Sequence, residues 1–164
     1  MKKIMLVLLA GSLLTFNSCT KSGPQGPKGA TGNANVIGEN SFNINPSDWS
    51  FSNNVYYVQV SDNNITTAVA DYGLVEVYRY YTNGWSNLPD INGITSMVYN
   101  FAPNIVTISV LNSNGSDPGN PGTVTFRIVV VPSSLRQAHP NTNWKNYNET
   151  MAVLKADKAT PAAQ

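Results

Sequence analysis

Two segments in the second half of the chain alternate apolar and polar residues with a period of two. In residues 105–110 every even position is apolar, and the same holds for residues 123–130, where Phe126 is the largest apolar side chain. This period is typical of β-strands that bury one face, so the even positions are predicted to point into a core. Residues 112–122 between them are dense in Asn, Gly and Pro, which favour turns. The two strands are therefore predicted to form a hairpin with a long loop.

Four further segments are weaker strand candidates, each bounded by Asn, Asp, Gly or Pro: residues 35–44, 55–61, 73–81 and 95–101. About six or seven short strands at this spacing are typical of a sandwich or a barrel. Charged residues make up 12% of the chain, whereas Asn, Ser, Thr and Tyr are abundant, and this composition suits extracellular β-structure. We predict an all-β fold, a single antiparallel β-sandwich over residues 35–158.

Two short helical segments interrupt the strand pattern. Residues 65–72 place their apolar side chains on one helical face, and Asn64 is the predicted N-cap of this internal helix. Near the C-terminus Tyr147, Met151 and Leu154 share a face, because they are spaced i, i+4 and i+7. They predict a short C-terminal helix that covers an open end or an edge of the sheet.

The N-terminus has the features of a secretory signal peptide. Lys2 and Lys3 precede an apolar run over residues 4–16, and Cys19 follows shortly after it. The run is short of the roughly 20 residues that a membrane-spanning helix needs. Cys19 is the only cysteine of the chain, and an unpaired thiol in an exported protein needs an explanation. We predict that residues 1–18 are a signal peptide, removed by cleavage before Cys19.

A glycine-rich segment over residues 19–34 follows the predicted cleavage point. Glycine recurs at every third position from residue 23 to residue 32, which is the period of collagen. Such a short Pro/Gly-rich segment is extended and buries little surface. We predict a flexible, disordered tether and a monomeric protein, and a trimeric collagen-like head is the alternative. The small and polar residues 159–164 are predicted to be a disordered tail.

The stretch Phe16-Asn17-Ser18-Cys19 resembles the lipobox of bacterial lipoproteins. With its Gly-X-Y triplets, its Asn- and Tyr-rich β-domain and its ending at residues 139–147, the chain is similar to small bacterial lipoproteins that carry a collagen-like tether and a β-rich domain of unknown function. The resemblance implies diacylglycerol on the Cys19 sulfur and acylation, for example with palmitate, of the new amine. It implies that the protein is anchored in the outer membrane, facing either the periplasm or the outside.

The charge balance of the predicted mature chain excludes one class of partner. Removing Lys2 and Lys3 from the 10 basic residues leaves 8 bases against 9 acids. A near-neutral balance gives no electrostatic footprint for nucleic acid, so nucleic acid is not an expected partner.

The residues that usually carry catalysis or bind metals do not form a recognisable pattern. His139 is the only histidine, and with no free cysteine an ordinary zinc site lacks its ligands. The nine carboxylates show no spacing that selects an acid–base pair. The loop over residues 112–117 has fewer carboxylates than calcium sites normally use. We therefore expect no catalytic residue, no metal site and no cofactor, and a hydrolase is the less favoured alternative.

Five aromatic residues are candidates for a binding surface: Trp49, Tyr57, Tyr81, Trp85 and Trp144. The two tyrosines belong to adjacent Tyr-Tyr pairs, and in a strand one residue of each pair must face away from the core. The three tryptophans lie near predicted turns. Exposed aromatics of this kind bind sugars or peptides, which predicts non-catalytic binding of a glycan or a protein. Aromatic packing across strands is the alternative, and it would indicate a structural surface protein.

Overall fold

The computed structural model describes residues 41–159 of the chain. The predicted signal peptide, Cys19 and the tether lie outside the described residues, as do the start of the predicted first strand and residues 160–164 of the predicted tail. In chain order the elements are β1 (Phe42–Ile44), a 3-10 turn (Pro46–Asp48), β2 (Ser50–Ser52), β3 (Val55–Ser61), α1 (Thr67–Tyr72), β4 (Leu74–Tyr81), β5 (Gly84–Asn87), β6 (Asp90–Asn92), β7 (Thr95–Ala102), β8 (Ile105–Asn112), β9 (Val124–Val131), α2 (Ser133–Ala138) and α3 (Tyr147–Ala159).

The strands form two antiparallel sheets that share one core, so the predicted all-β sandwich is confirmed. One sheet has four strands in the order β1-β9-β4-β5, and the other has five in the order β2-β3-β8-β7-β6. Within the described residues there are more strands than predicted, because β2, β5 and β6 are only three or four residues long. Strands this short carry too few residues to show a period. At the edges of the sheets they limit pairing with other chains.

The alternating residues of β8 and β9 face each other across the sandwich. The even positions are buried in one cluster: Val106, Ile108, Val110, Val124, Phe126, Ile128 and Val130. Phe126 is fully buried, and its ring centre lies 6.2 Å from that of Phe42 and 6.4 Å from that of Trp49. Each fully buried aliphatic or aromatic side chain of this kind stabilises the fold by roughly 1.5–3 kcal/mol. The predicted inward orientation of these residues is therefore confirmed.

The predicted hairpin between the two alternating segments is wrong, because β8 and β9 lie in different sheets. β8 pairs with β3 and β7, whereas β9 pairs with β1 and β4. The turn-rich connection crosses from one sheet to the other. Buried Asn112 fixes its start, accepting a hydrogen bond from Thr95 at 2.6 Å and donating one to Ser116 at 3.0 Å. The indole N–H of Trp49 fixes its end by donating to the Gly122 carbonyl at 3.0 Å.

Helices α2 and α3 cover part of the outer face of the four-stranded sheet. Their apolar residues form a second buried cluster with that face: Leu135, Met151 and Leu154 with Tyr78, Val129 and Val131. This cover explains why the last residues of β9 are apolar on both faces. The predicted C-terminal helix is confirmed, and it packs on the outer face of the sheet beside its edge strand β5. Helix α2 was not predicted, because its six residues contain a single buried apolar side chain.

Helix α1 begins two residues later than the sequence predicts. Its N-cap is Thr66, whose hydroxyl accepts a hydrogen bond from the Val69 N–H at 3.3 Å, and not Asn64. Asn64 instead donates to the carboxylate of Asp62 at 2.7 Å. Ile65 is fully buried just before the helix. None of the helices in the described part of the chain is long and apolar enough to cross a membrane.

Candidate functional site

The structure separates the five aromatic residues that were predicted to form one surface. Trp49 is only 7% exposed, because its ring packs edge-on against Phe126 and its N–H is bonded to Gly122. Its prediction as a surface residue is therefore wrong. A position beside a turn does not decide whether a side chain points outward, and Trp49 points into the core.

Tyr57 and Trp144 lie in two further places. Tyr57 is half-buried on the outer face of the five-stranded sheet, where Ser50 and Ser109 flank it on the neighbouring strands. Trp144 is half-buried in the segment before α3 and packs against the second buried cluster. The carbonyl of Trp144 accepts a hydrogen bond from the hydroxyl of Thr150 at 2.8 Å. Trp144 therefore helps to attach α3 to the sheet.

Tyr81 is 38% exposed and lies beside an ion pair. Arg79 Nη1 and Asp90 Oδ2 are 2.9 Å apart, and the Arg79 guanidinium lies 4.6 Å from the centre of the Tyr81 ring. The Tyr81 hydroxyl also donates to Asp90. Arg79 and Asp90 line a cavity of about 220 Å³ together with polar residues that include Asn92 and Thr95. Arg79 and Asp90 therefore neutralise each other's charge in this cavity.

Trp85 belongs to a row of four aromatic rings on the outer face of the four-stranded sheet. The pairing of β4 with β5 sets Tyr80 opposite Trp85, and their ring centres are 5.1 Å apart. Trp85 stacks on Tyr147 of α3 at 5.5 Å, and Tyr147 meets Tyr78 edge-on at 5.2 Å. The row begins at Tyr80, which is 48% exposed, and ends at Tyr78, which is fully buried.

Arg127 of β9 lies against this row of rings. Its guanidinium carbon is 4.5 Å from the centre of the Trp85 ring and 5.4 Å from that of Tyr147, and its Nη1 donates to the Tyr147 hydroxyl. Its Nε is buried and has no hydrogen-bond partner within the described residues. Among residues 41–157 no carboxylate forms an ion pair with it. We call Tyr80, Trp85, Arg127 and Tyr147 the arginine face.

A cavity of about 460 Å³ adjoins the arginine face, and we call it the Arg127 cavity. It is lined by Arg127, by Tyr147 at the start of α3 and by four further residues of that helix: Asn148, Met151, Ala152 and Lys155. Those four are spaced i, i+3, i+4 and i+7, so they form one stripe along the helix. Surface depressions at His139 and at Tyr72 have the same volume, so the lining of the Arg127 cavity distinguishes it and its size does not. The lining contains two cationic side chains and, within the described residues, no carboxylate.

A buried hydrogen-bonded group holds α3 in this position. Tyr78 and Thr150 are fully buried, their hydroxyl oxygens are 3.0 Å apart, and both hydroxyls reach the Trp144 carbonyl. Burial raises the pKa of Tyr78 to about 12, so this hydroxyl keeps its proton at neutral pH. Asn146 caps the helix, because its side-chain oxygen accepts from the Glu149 N–H at 3.2 Å. The cavity stripe is therefore carried by a fixed element.

Glu76 is a buried carboxyl group that lines neither of these two cavities. It is 5% exposed and accepts hydrogen bonds from Asn87 at 2.6 Å and from Tyr99 at 3.2 Å. Burial raises the pKa of Glu76, while the two hydrogen bonds and the charge of Lys145 act in the opposite direction. Asn87 belongs to β5 and Tyr99 to β7, so Glu76 links β4 to its neighbour β5 and to β7 of the other sheet. We assign it a structural role.

The single histidine lies apart from the arginine face. His139 lines a surface depression together with Glu149. Within residues 41–159 no group of three or more His, Cys, Asp or Glu side chains is arranged to hold a metal ion.

The sequence prediction missed Arg127, Tyr147 and Lys155 as site residues. Arg127 is the only charged residue of the alternating segment 123–130, and this signal could have singled it out. Tyr147 was assigned only to the buried face of a helix. Which strand that helix covers cannot be inferred from its own periodicity, so its contact with Arg127 could not be predicted.

Comparisons of this chain with protein-family models, with curated proteins and with solved structures found no match. The resemblance to collagen-like lipoproteins therefore stays a prediction, and the geometry of the arginine face is the basis for assigning a function.

Proposed function

We propose that this protein is a lipoprotein of the bacterial cell envelope, held in the outer membrane by lipid on Cys19. The positive start, the short apolar run and the single cysteine at the cleavage point support this assignment. Two or more acyl chains anchor a protein stably, whereas one chain gives only marginal binding. In this proposal the glycine-rich tether displays the β-sandwich as a monomer, away from the membrane surface.

We propose that the displayed β-sandwich is a non-catalytic binding module and that it binds a glycan at the arginine face. The observation that carries this proposal is the Arg127 guanidinium held against Trp85 and Tyr147 beside the exposed ring of Tyr80. Aromatic rings offer flat apolar surfaces to the C–H faces of sugars, and a guanidinium offers donors to their hydroxyls. The Arg127 cavity supplies cations and an amide but no acid–base pair, which favours binding over hydrolysis.

Exposure of an aromatic side chain does not by itself support binding. Phe51 of β2 is 47% exposed, about as much as Tyr80, yet scattered exposed aromatics are normal on protein surfaces. The arginine face differs because its rings are contiguous and surround a cation that no carboxylate of the described residues neutralises. Phe51 is therefore the matched control for Tyr80.

The proposal is tested on a glycan array with residues 20–164, which contain both buried clusters of side chains. We expect the wild-type chain to bind a subset of glycans, Tyr80→Ala to lose most of that signal and Phe51→Ala to keep it. Equal binding by both variants would overturn the assignment of the arginine face. If the chain captures proteins but no glycan, the assignment of a glycan as the ligand is wrong.

A further inference from the structure

We infer that the Arg127 cavity binds the carboxylate of an acidic sugar. This inference deepens the proposed function, because it assigns the charge of the ligand and the residues that recognise it. It depends on the same arginine face, and it adds Lys155 as a second group that contacts the ligand.

The first argument for an anionic ligand is the distribution of charge over the domain. Residues 41–157 contain 8 acids and 5 bases, so this part of the chain is net negative by three charges. Two of those five bases, Arg127 and Lys155, nevertheless line one cavity whose lining includes no acid. Like charges that face one cavity repel each other, and a bound anion would remove that repulsion. An acidic domain that gathers two cations in one place is therefore suited to an anionic ligand.

The second argument for an anionic ligand is the environment of the Arg127 guanidinium. The Trp85 and Tyr147 rings lie against it, and its Nε is buried without an acceptor in the described residues. Arginine cannot lose its charge to relieve this desolvation. An unpaired charge that is partly removed from water costs free energy unless a counter-charge reaches it. A ligand carboxylate in the cavity would supply that counter-charge.

The other residues that line the Arg127 cavity indicate which kind of molecule bears the carboxylate. Met151 and Ala152 give an apolar wall, Tyr147 gives a ring, and Asn148 gives an amide that can donate to or accept from a hydroxyl. A cavity of about 460 Å³ holds more than a bare oxyanion. A pyranose with one carboxylate, such as a uronic acid, uses both the apolar wall and the two cations. Inorganic phosphate uses only the cations.

The test follows the Arg127 Nε–H and Trp85 indole N–H signals by NMR in residues 20–164 at low salt. The three probes are sodium glucuronate, glucose and inorganic phosphate. Lys155→Gln removes one cation of the cavity from an exposed helix position, and Lys145→Gln removes the same charge at an exposed position outside the cavity. Both side chains are exposed, so neither change is expected to unfold the domain.

We expect glucuronate to shift the Arg127 signal, with an affinity that falls about fivefold in Lys155→Gln and is unchanged in Lys145→Gln. Glucose should bind more weakly and without a contribution from Lys155. Equal affinity for glucose and glucuronate would overturn the inference of a carboxylate while the glycan site itself stands. Equal affinity for phosphate and glucuronate would overturn the inference that a sugar carries the bound anionic group. If neither sugar shifts either signal, the inference of an acidic sugar is wrong, whereas the proposed function is decided separately by the glycan array.

Discussion

The guanidinium of Arg127 lies 4.5 Å from the centre of the Trp85 ring, although their strands are not neighbours. β4 lies between β9 and β5, so the two side chains meet above it on the outer face of the sheet. A cation against an aromatic face stabilises by about 0.5–1 kcal/mol at an exposed site. This contact holds the Arg127 charge in the lining of the Arg127 cavity.

Replacing Arg127 with methionine should separate binding from stability. Methionine keeps the apolar stem of the side chain but removes the guanidinium, which has no ion-pair partner in the described residues, and with it the contacts to Trp85 and Tyr147. The loss of these contacts is partly offset because no unpaired charge is left against the sheet, so we expect Arg127→Met to lower the free energy of unfolding by less than about 2 kcal/mol. Glycan binding should be lost. Urea denaturation and array binding measure the two effects, and a large loss of stability would show that Arg127 has mainly a structural role.

Substitutions on the inner face of β9 should destabilise the protein much more than substitutions on its outer face. Phe126 is fully buried, so Phe126→Ala should lower the free energy of unfolding by about 3–5 kcal/mol. Thr125 lies on the outer face and donates to Asn43 at 2.7 Å, so Thr125→Ala should cost about 1 kcal/mol. Urea melts of both variants check this, and equal losses would contradict the observed register.

Glu76→Gln should stabilise the protein at neutral pH. The pKa of Glu76 is raised from 4.5 mainly by burial, so the folded state holds this proton more tightly than the unfolded chain does. The stabilisation of the folded state by protonated Glu76 is therefore fully present below pH 4.5, and it is lost as the pH rises through the folded-state pKa. Glutamine keeps an oxygen that can accept from Asn87 and Tyr99 and carries no charge. Its advantage should be largest at pH 7 and shrink on acidification.

The matched control for Glu76→Gln is Asp71→Asn, which removes an exposed carboxylate of α1. Thermal unfolding of wild type and both variants from pH 4 to pH 7 gives the comparison. If the stability difference between Glu76→Gln and wild type does not depend on pH, the assigned pKa direction is wrong.

Cys19→Ser should prevent lipidation. The serine hydroxyl cannot take the place of the cysteine thiol as the acceptor of diacylglycerol, so the variant should incorporate no labelled palmitate and should leave the membrane fraction or accumulate as the precursor. Labelling of cells that express either form measures this. Continued labelling and membrane retention of the serine form would disprove the lipobox assignment.

The sequence predicted the sandwich because alternation reports which face of a strand is buried, and β8 and β9 alternate clearly. It did not predict their partners, since a buried face is compatible with either sheet, and the predicted hairpin was wrong for that reason. Val129 and Val131 are apolar on the face that was predicted to be exposed, and the structure shows that α2 and α3 cover this face.

The candidate site was harder to predict than the fold. Trp85 was among the predicted binding residues, but its partners Arg127 and Tyr147 come from β9 and α3, which are distant in the chain. Trp49 was assigned to the surface because it follows a turn, although its side chain points inward. Aromatic residue type indicates a contact, but only the tertiary fold decides whether the contact is with the core or with solvent.

The most direct test of the arginine face is the response of the three tryptophan indole N–H signals to a bound glycan. In a titration of the labelled domain with a glycan selected on the array, the Trp85 signal should move. The Trp49 signal should stay in place, because its N–H is bonded to Gly122 inside the core. Trp144 should respond little, since it packs against the second buried cluster. A bound glycan that moves Trp49 or Trp144 and leaves Trp85 unchanged would contradict the account.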